Sequence, residues 1–236
     1  MEEVDNSISV FMPFYNEEEL IEDVVLNTRN FMESNELDYE LLIVNDGSED
    51  NTGEKAESLS ENNSSIRTIH HSENRGYGRA LATGFENSEN EIVFYMDGDG
   101  QFSIEEIEKF LSEIKDFDMV IGYREDRDDG FGRKITSDVF NKLVNSLLPV
   151  ESRDIDCGSK MVKKEVLNDI KLNTERTVDA ELLAKSVSKG NSVKEVPVKH
   201  FSREKGESEA EGLIGVRPKL IIKSIQELLQ IRREIK

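Results

Sequence analysis

The sequence predicts one α/β domain: a mostly parallel, doubly wound central sheet flanked by helices. Three observations carry this. Through residue 122, runs of β-formers alternate with stretches whose apolar residues recur at helical spacing, in the order β-α-β-α-β-α-β-α-β. The run Ile92-Val-Phe-Tyr-Met96 reads as a buried strand and passes straight into Asp97-Gly-Asp-Gly-Gln101. Acids at the carboxyl end of a central strand stand where open α/β sheets bind ligands.

Taken in order, residues 7–14 (SISVFMPF) form a first strand, with Pro13 at its exit, where a missing N–H does least harm. Asn16 and Glu19 have capping-box spacing before a helix marked by Leu20, Ile21, Val24, Val25 and Phe31. Residues 39–45 (YELLIVN) form a second strand that ends in Asp46, and Ser48 or Asp50 caps a helix around Ala56 and Leu59. Residues 66–70 give a short third strand. Asn74-Arg-Gly-Tyr-Gly-Arg79 then opens a helix through Ala80, Leu81 and Phe85, and its two glycines allow close approach of a phosphate, though not at dinucleotide-motif spacing. After the central strand come a helix over 104–114, a strand over 118–122 and the charged loop 123–130.

The second half is less regular. An amphipathic helix runs from Ile135 to Leu148, a strand covers 157–162, and a helix over 178–187 has Asp179 and Glu181 near its start. Residues 192–198 form an edge strand, since Pro197 interrupts its ladder, and 200–209 form a loop. Pro218 opens a last helix with Leu220, Ile221, Ile225, Leu228, Leu229 and Ile235 on one side and Lys219, Lys223, Arg232, Arg233 and Lys236 as a basic ending. Its apolar stripe either packs on the domain or a second subunit, or dips into a membrane whose anionic head groups meet the basic residues.

Composition narrows the function classes. A chain of 236 residues can bury a good core as one large domain. One cysteine, Cys157, excludes an internal disulfide and suits a reducing compartment. No signal peptide and no membrane span are expected. Fifty acidic against thirty basic residues, net −20, argue against a nucleic-acid partner and for a protein adapted to a high-salt (halophilic) cytoplasm.

Asp97 and Asp99, one residue apart at a turn, can both face one hard divalent cation, and the cation can bridge nucleotide phosphates. The competing reading is a polar Asp/Gly turn. Four stretches together decide between them: Pro13-Phe-Tyr-Asn-Glu17, Val44-Asn-Asp-Gly-Ser48 with Asp50 and Thr52, Asn74-x-Gly76, and Met96-Asp-Gly-Asp-Gly-Gln101. In order and spacing they resemble glycosyltransferase family 2, which has the GT-A fold. The second half resembles, more loosely, the dolichyl-phosphate mannose synthase-like branch, through Gly122-Tyr-Arg124, Arg133-Lys-Ile-x-Ser137, Asp156-Cys-Gly158, Asp179-Ala-Glu-Leu182 and Arg203-x-x-Gly-Glu-Ser208.

The resemblance implies a division into a nucleotide-sugar half (1–122), an acceptor half (123–210) and a C-terminal amphipathic helix (211–236). It implies that Pro13, Tyr15, Glu17 and Gly76 line the nucleotide pocket and that Asp46 contacts base or ribose. Asp97 faces the ribose or the metal, and Asp99 and Gln101 face the metal, Mg²⁺ or Mn²⁺, and the diphosphate. Arg124, Arg203 and Lys205 meet phosphate charge. Glu209 stands where the family's loop has a lysine. Asp179 is the candidate base for a hydroxyl acceptor, with Glu181 behind it; the competing reading is that both are helix-start acids meeting the helix dipole. The activity implied is inverting transfer of a hexose from a UDP- or GDP-sugar to a polyprenyl (dolichyl) phosphate at a cytoplasmic membrane face, as in protein glycosylation. The alternatives are a saccharide or protein hydroxyl acceptor, or a non-catalytic nucleotide-sugar-binding module. A nucleotidyltransferase would carry a Gly- and Lys-rich phosphate loop near the N-terminus, and residues 8–19 are acidic instead. Sugar, base and oligomeric state stay open.

Overall fold

The computed structural model describes residues 7–125, 131–202 and 218–236. Seven strands form one sheet: β1 (Ile8–Phe14), β2 (Tyr39–Asn45), β3 (Ile66–His70), β4 (Ile92–Met96), β5 (Met119–Arg124), β6 (Ser159–Lys163) and β7 (Val193–Val198). The helices are α1 (Ile21–Ser34), α2 (Thr52–Glu61), α3 (Tyr77–Asn87), α4 (Ile107–Glu113), α5 (Phe131–Leu147), α6 (Lys164–Asn168), α7 (Val178–Ser188) and α8 (Pro218–Glu234). Strand order is β3-β2-β1-β4-β6-β5-β7. All pairings are parallel except those of β6, which runs antiparallel to both β4 and β5. The sheet is therefore mostly parallel, as expected, and β7 is an edge strand.

Strand periodicity splits the core into two layers. Phe11, Leu42, Val44, Val93 and Tyr95 face one side, where they pack with Leu81 and Phe85 of α3, Val144 of α5, Leu183 of α7, and Leu228 and Ile231 of α8. Val10, Met12, Leu41, Ile43, Phe94 and Met96 face the other, against Ile21 and Val25 of α1, Ala56 of α2 and Ile107 and Phe110 of α4. Runs apolar at every position, such as Ile92–Met96, all five residues buried, are what a sheet covered on both faces requires.

Local signals were less exact than the strand pattern. The Asn16–Glu19 capping box does not form. Asn16 has φ +54° and its Oδ1 accepts from Glu49 N (2.8 Å), so it ties the β1 exit to the β2 exit. The helix begins at Ile21 without a side-chain cap, its first turn closed by Leu20 and Ile21 N–H groups on the Glu17 carbonyl. Asp50 accepts from Thr52 N and also from Glu18 N, so it too joins two loops. The helix expected from residue 104 starts with a 3-10 turn, Ile104–Glu106. Gly78 is not open for phosphate approach, because a Cβ there would lie 2.5 Å from the Thr174 carbonyl oxygen. Gly76, with φ +86°, does face open space.

The apolar stripe of α8 divides in two. Leu228 and Ile231 are fully buried against the domain, while Ile221 and Ile222 are about half exposed (49% and 55%). No helix among the described residues is long and apolar enough to cross a membrane.

Candidate active site

The carboxyl ends of β1 to β4 lie along one edge of the sheet, and that edge collects most of the expected residues. At β1, Pro13 and Tyr15 are half-buried, and Glu17 donates its N–H to Thr52 Oγ1 (2.8 Å). Pro13 lies beyond the last β1–β4 pair, Phe11 with Tyr95. The β4 exit packs onto this corner: a Cβ on Gly98 would sit 2.5 Å from the Phe14 ring and 2.7 Å from the Pro13 carbonyl oxygen. The glycine between the two aspartates is thus set by contact with β1, not only by the turn.

Asp97 and Asp99 are close enough that the charge of Asp99 raises the Asp97 carboxyl. Burial is the larger cause, and together they push it up to about 8. Asp97 Oδ1 accepts from the Tyr77 hydroxyl at 2.9 Å, and Asp97 N donates to the Gly158 carbonyl at 3.0 Å. Asp99 Oδ1 accepts from Gln101 N at 3.0 Å. Neither aspartate is ion-paired among the described residues. Gly158 lies against the Asp97 side chain so tightly that a Cβ would come within 1.8 Å of Oδ2. The Asp97 carboxylate therefore occupies a cradle that only glycine leaves open.

Two half-buried acids that repel each other and lack a cationic partner suit a hard divalent ion. Mg²⁺-type ions are commonly held by one or two carboxylates, with phosphates and water filling the remaining positions. Among the described residues no group of three or more His, Cys, Asp or Glu side chains is placed to hold a metal without such help. Gln101 is partly committed elsewhere: its Nε2 donates to the Phe201 carbonyl (3.1 Å), and its own carbonyl accepts from Phe201 N (2.9 Å). It ties the 200–202 segment to the acidic turn.

Other expected residues are placed differently. Asp46 is buried, and both its oxygens are engaged inward. Oδ1 is 2.6 Å from His71 Nδ1 and accepts from Arg75 N (2.9 Å), while Oδ2 accepts from Gly76 N (2.9 Å). His71 Nε2 lies 2.9 Å from Thr83 Oγ1. This carboxylate holds the loop entering α3 and presents no unengaged oxygen to a base or ribose. Arg124, at the end of β5, forms a two-point pair with Asp154 (2.7 and 2.8 Å), so its charge is largely matched within the protein. Asp179 is buried and ion-paired with Lys160 Nζ at 2.6 Å. Glu181 is fully buried, and one of its carboxylate oxygens accepts from Thr174 N and Oγ1. Arg203, Lys205 and Glu209 lie outside the described residues. Cys157 is buried, its thiol pushed up to about 12 by desolvation, which removes it as a nucleophile.

Sequence reasoning missed Tyr77, Gly158 as the wall of the Asp97 cradle, and Lys160. Lys160 did leave a signal. A lysine inside the strand run Ser159–Lys163, followed by Met161 and Val162, needs a buried counter-charge.

The sequence pattern described as Glycosyl transferase family 2 matches residues 9–171, more than half of the chain. Among solved structures, one of glucosyl-3-phosphoglycerate synthase from Mycobacterium tuberculosis with uridine diphosphate superposes with a TM-score of 0.71 at 17% identity, over 96% of this chain and 80% of the other. The same enzyme with Mn²⁺, uridine-diphosphate-glucose and phosphoglyceric acid gives 0.68 at 18% identity, over 94% and 80%. A structure described only as a mycobacterial protein gives 0.73 at 17%, over 95% and 75%. At these identities the superpositions speak for the fold. The match through β1, β2, β4 and β6 spans the whole acidic edge, Asp46, Asp97, Asp99 and Gly158 included, and on that ground the chain belongs to glycosyl transferase family 2.

Proposed function

We propose that this protein is a divalent-metal-dependent, inverting glycosyltransferase that moves a hexose from a nucleotide sugar to a phosphate-bearing acceptor, with polyprenyl phosphate on the cytoplasmic face of a membrane as the leading acceptor. The observation that carries the reading is the Asp97–Asp99 pair, lacking a cation partner among the described residues, at the exit of β4. A bound Mg²⁺ or Mn²⁺ held there supplies charge neutralisation for the departing diphosphate. Asp97, kept in place by Tyr77 and Gly158, and Asp99, by the Gln101 N–H, would orient that ion. Pro13, Tyr15 and Glu17 at the β1 exit would form the nucleotide wall. Arg203 and Lys205, which follow the segment tied to Gln101, would meet phosphate. In-line attack on the sugar carbon inverts its configuration.

A phosphate acceptor is favoured over a hydroxyl one by Asp179. The expected base is buried and held by Lys160, whereas an anionic phosphate needs little help from a base. Lipid is supported by α8. Its two acids have partners on the domain: Glu227 accepts from Thr177 N and Oγ1, and Glu234 pairs with Lys185. Exposed on α8 are Lys219, Arg232 and Arg233, with Lys223 paired to Glu175 and Lys236 just past the helix end, beside Ile221, Ile222 and Leu229. A basic and apolar outer surface on a chain of net charge −20 suits an anionic membrane interface. A second reading, a small soluble phosphorylated acid as acceptor, is favoured by structural likeness to an enzyme solved with phosphoglyceric acid. For the donor, UDP-glucose is the first to test, because the same likeness is to structures holding it.

The test is a panel of radiolabelled UDP- and GDP-sugars with Mn²⁺ or Mg²⁺, offered polyprenyl phosphate or 3-phosphoglycerate. Label entering the organic phase, abolished by EDTA and by Asp99→Ala, is expected. Label in the aqueous product alone selects the second reading, and metal-independent transfer removes the role of the aspartate pair.

A further inference from the structure

A buried ion pair beneath the acidic turn has no part in the reaction described so far. Tyr95 and Lys160 are directly opposed in the β4–β6 ladder, and both reach the face of the sheet covered by α7. Lys160 is fully buried. Its Nζ donates to the Cys157 carbonyl (2.6 Å), to Tyr95 Oη (2.9 Å) and to Asp179 Oδ1 (2.6 Å), which uses all three of its protons. Tyr95 Oη–H in turn donates to the same Asp179 oxygen. Asp179 projects from the first turn of α7, so the cluster joins β4, β6 and α7 at one point.

That point is one residue from the cradle. The carbonyl gripped by Lys160 belongs to Cys157. The next residue, Gly158, accepts the Asp97 N–H and lies against Asp97 Oδ2, while the Tyr77 hydroxyl donates to Oδ1. We infer that Lys160, clamped by Asp179 and Tyr95, is a positioning residue: it fixes the 157–158 backbone so that Asp97 presents its carboxylate to the metal–diphosphate. An apolar pair would fill the same space, but it would leave the Cys157 carbonyl only its long contact with the Tyr95 hydroxyl (3.4 Å) and so hold Gly158 less firmly. Groups orienting a metal ligand commonly govern affinity by about 10- to 100-fold. The inference rests on the metal reading of Asp97 and Asp99.

The experiment compares Mn²⁺ binding in the presence of UDP, followed by the loss of the free-ion electron spin resonance signal, in wild type, Lys160→Met/Asp179→Leu and Tyr77→Phe. The double variant removes both buried charges together, so neither is left unpaired, and Tyr77→Phe deletes one hydroxyl at a partly exposed site. Thermal melting without metal shows that each variant is folded. Expected is a dissociation constant for Mn²⁺ raised at least tenfold in the double variant and severalfold in Tyr77→Phe, with the latter still folded and melting cooperatively. If the double variant folds and binds within twofold of wild type, the positioning role is overturned. If it does not fold, Tyr77→Phe decides: wild-type affinity there shows that the walls of the Asp97 cradle do not govern the ion. Failure of the wild-type protein to retain Mn²⁺ with UDP overturns the metal reading and this inference with it, a result distinct from the other two.

Discussion

Gly158→Ala is the sharpest single perturbation of the site. Gly158 is not among the glycines with positive φ, so alanine is allowed by its backbone and only the new methyl matters. That methyl would lie 1.8 Å from Asp97 Oδ2 and 2.3 Å from Cγ. Non-bonded contacts begin near 3 Å, so the carboxylate must retreat by at least about 1.2 Å or the β4–β6 backbone must part. A rotated Asp97 loses the Tyr77 hydroxyl, and a hydrogen bond to a charged group contributes about 1.5–3 kcal/mol. A parted ladder loses the Asp97 N–H bond to residue 158 and strains the core by about 1–3 kcal/mol. Misplacement of a reacting constellation by ~1 Å costs on the order of 10²-fold in rate. The assay pairs sugar transfer under saturating UDP-sugar with a Mn²⁺ titration and urea unfolding. A loss of at least about 30-fold in turnover with a folded protein is expected, within the range of that geometric effect. Wild-type turnover and wild-type Mn²⁺ affinity in Gly158→Ala would refute the reasoning, because no arrangement in which Asp97 serves the metal from its present position accommodates the methyl.

Two further outcomes follow from the electrostatics. Asp97 is raised to about 8 in the folded protein, above its ordinary carboxylate value, so between roughly pH 4 and 8 the native state holds more of this proton than the unfolded chain. Its contribution to stability is full below that window and is lost as pH rises through it, so the metal-free protein should lose stability from this group toward pH 8, while apparent Mn²⁺ affinity rises and levels off above pH 8; calorimetry and ion titration from pH 5 to 9 check both, and a flat affinity would contradict the assignment. For α8, the wild-type protein should co-sediment with vesicles containing phosphatidylglycerol at about 0.1 M salt, where screening reaches only ~10 Å. Ile221→Ser/Ile222→Ser and Arg232→Glu/Arg233→Glu should each reduce the bound fraction several-fold without lowering the melting temperature, and equal binding by all three proteins would remove the membrane role.

Several features were legible without coordinates because they are local. A strand that must be covered on both faces cannot hide its apolar run, so residues 92–96 announced β4, and the acids after it announced the ligand edge. Asn16 has the right chemistry for a helix start, and that same chemistry ties two loops together instead; Asp50 does both, accepting from the first N–H of α2 and from Glu18 N. The sequence places Asp46 at a strand end, a position that is the same whether the carboxylate turns outward to a ligand or, as here, inward onto Arg75 N, Gly76 N and His71. Asp179 posed the same difficulty: the start of a helix names the residue, and its partner comes from another element.

The chain by itself determined the alternation of strands and helices, the two-faced burial of the sheet and the acidic pair at the end of β4, since each depends on residues near one another in sequence. Only the tertiary structure decided what stands opposite that pair. β6 enters between β4 and β5 in the reverse direction, which sets Gly158 against Asp97 and Lys160 against Tyr95 across more than sixty residues of chain. Such pairings are chosen by which arrangement buries the most apolar surface while leaving no buried charge alone, and that is a property of the whole packed molecule rather than of any stretch within it.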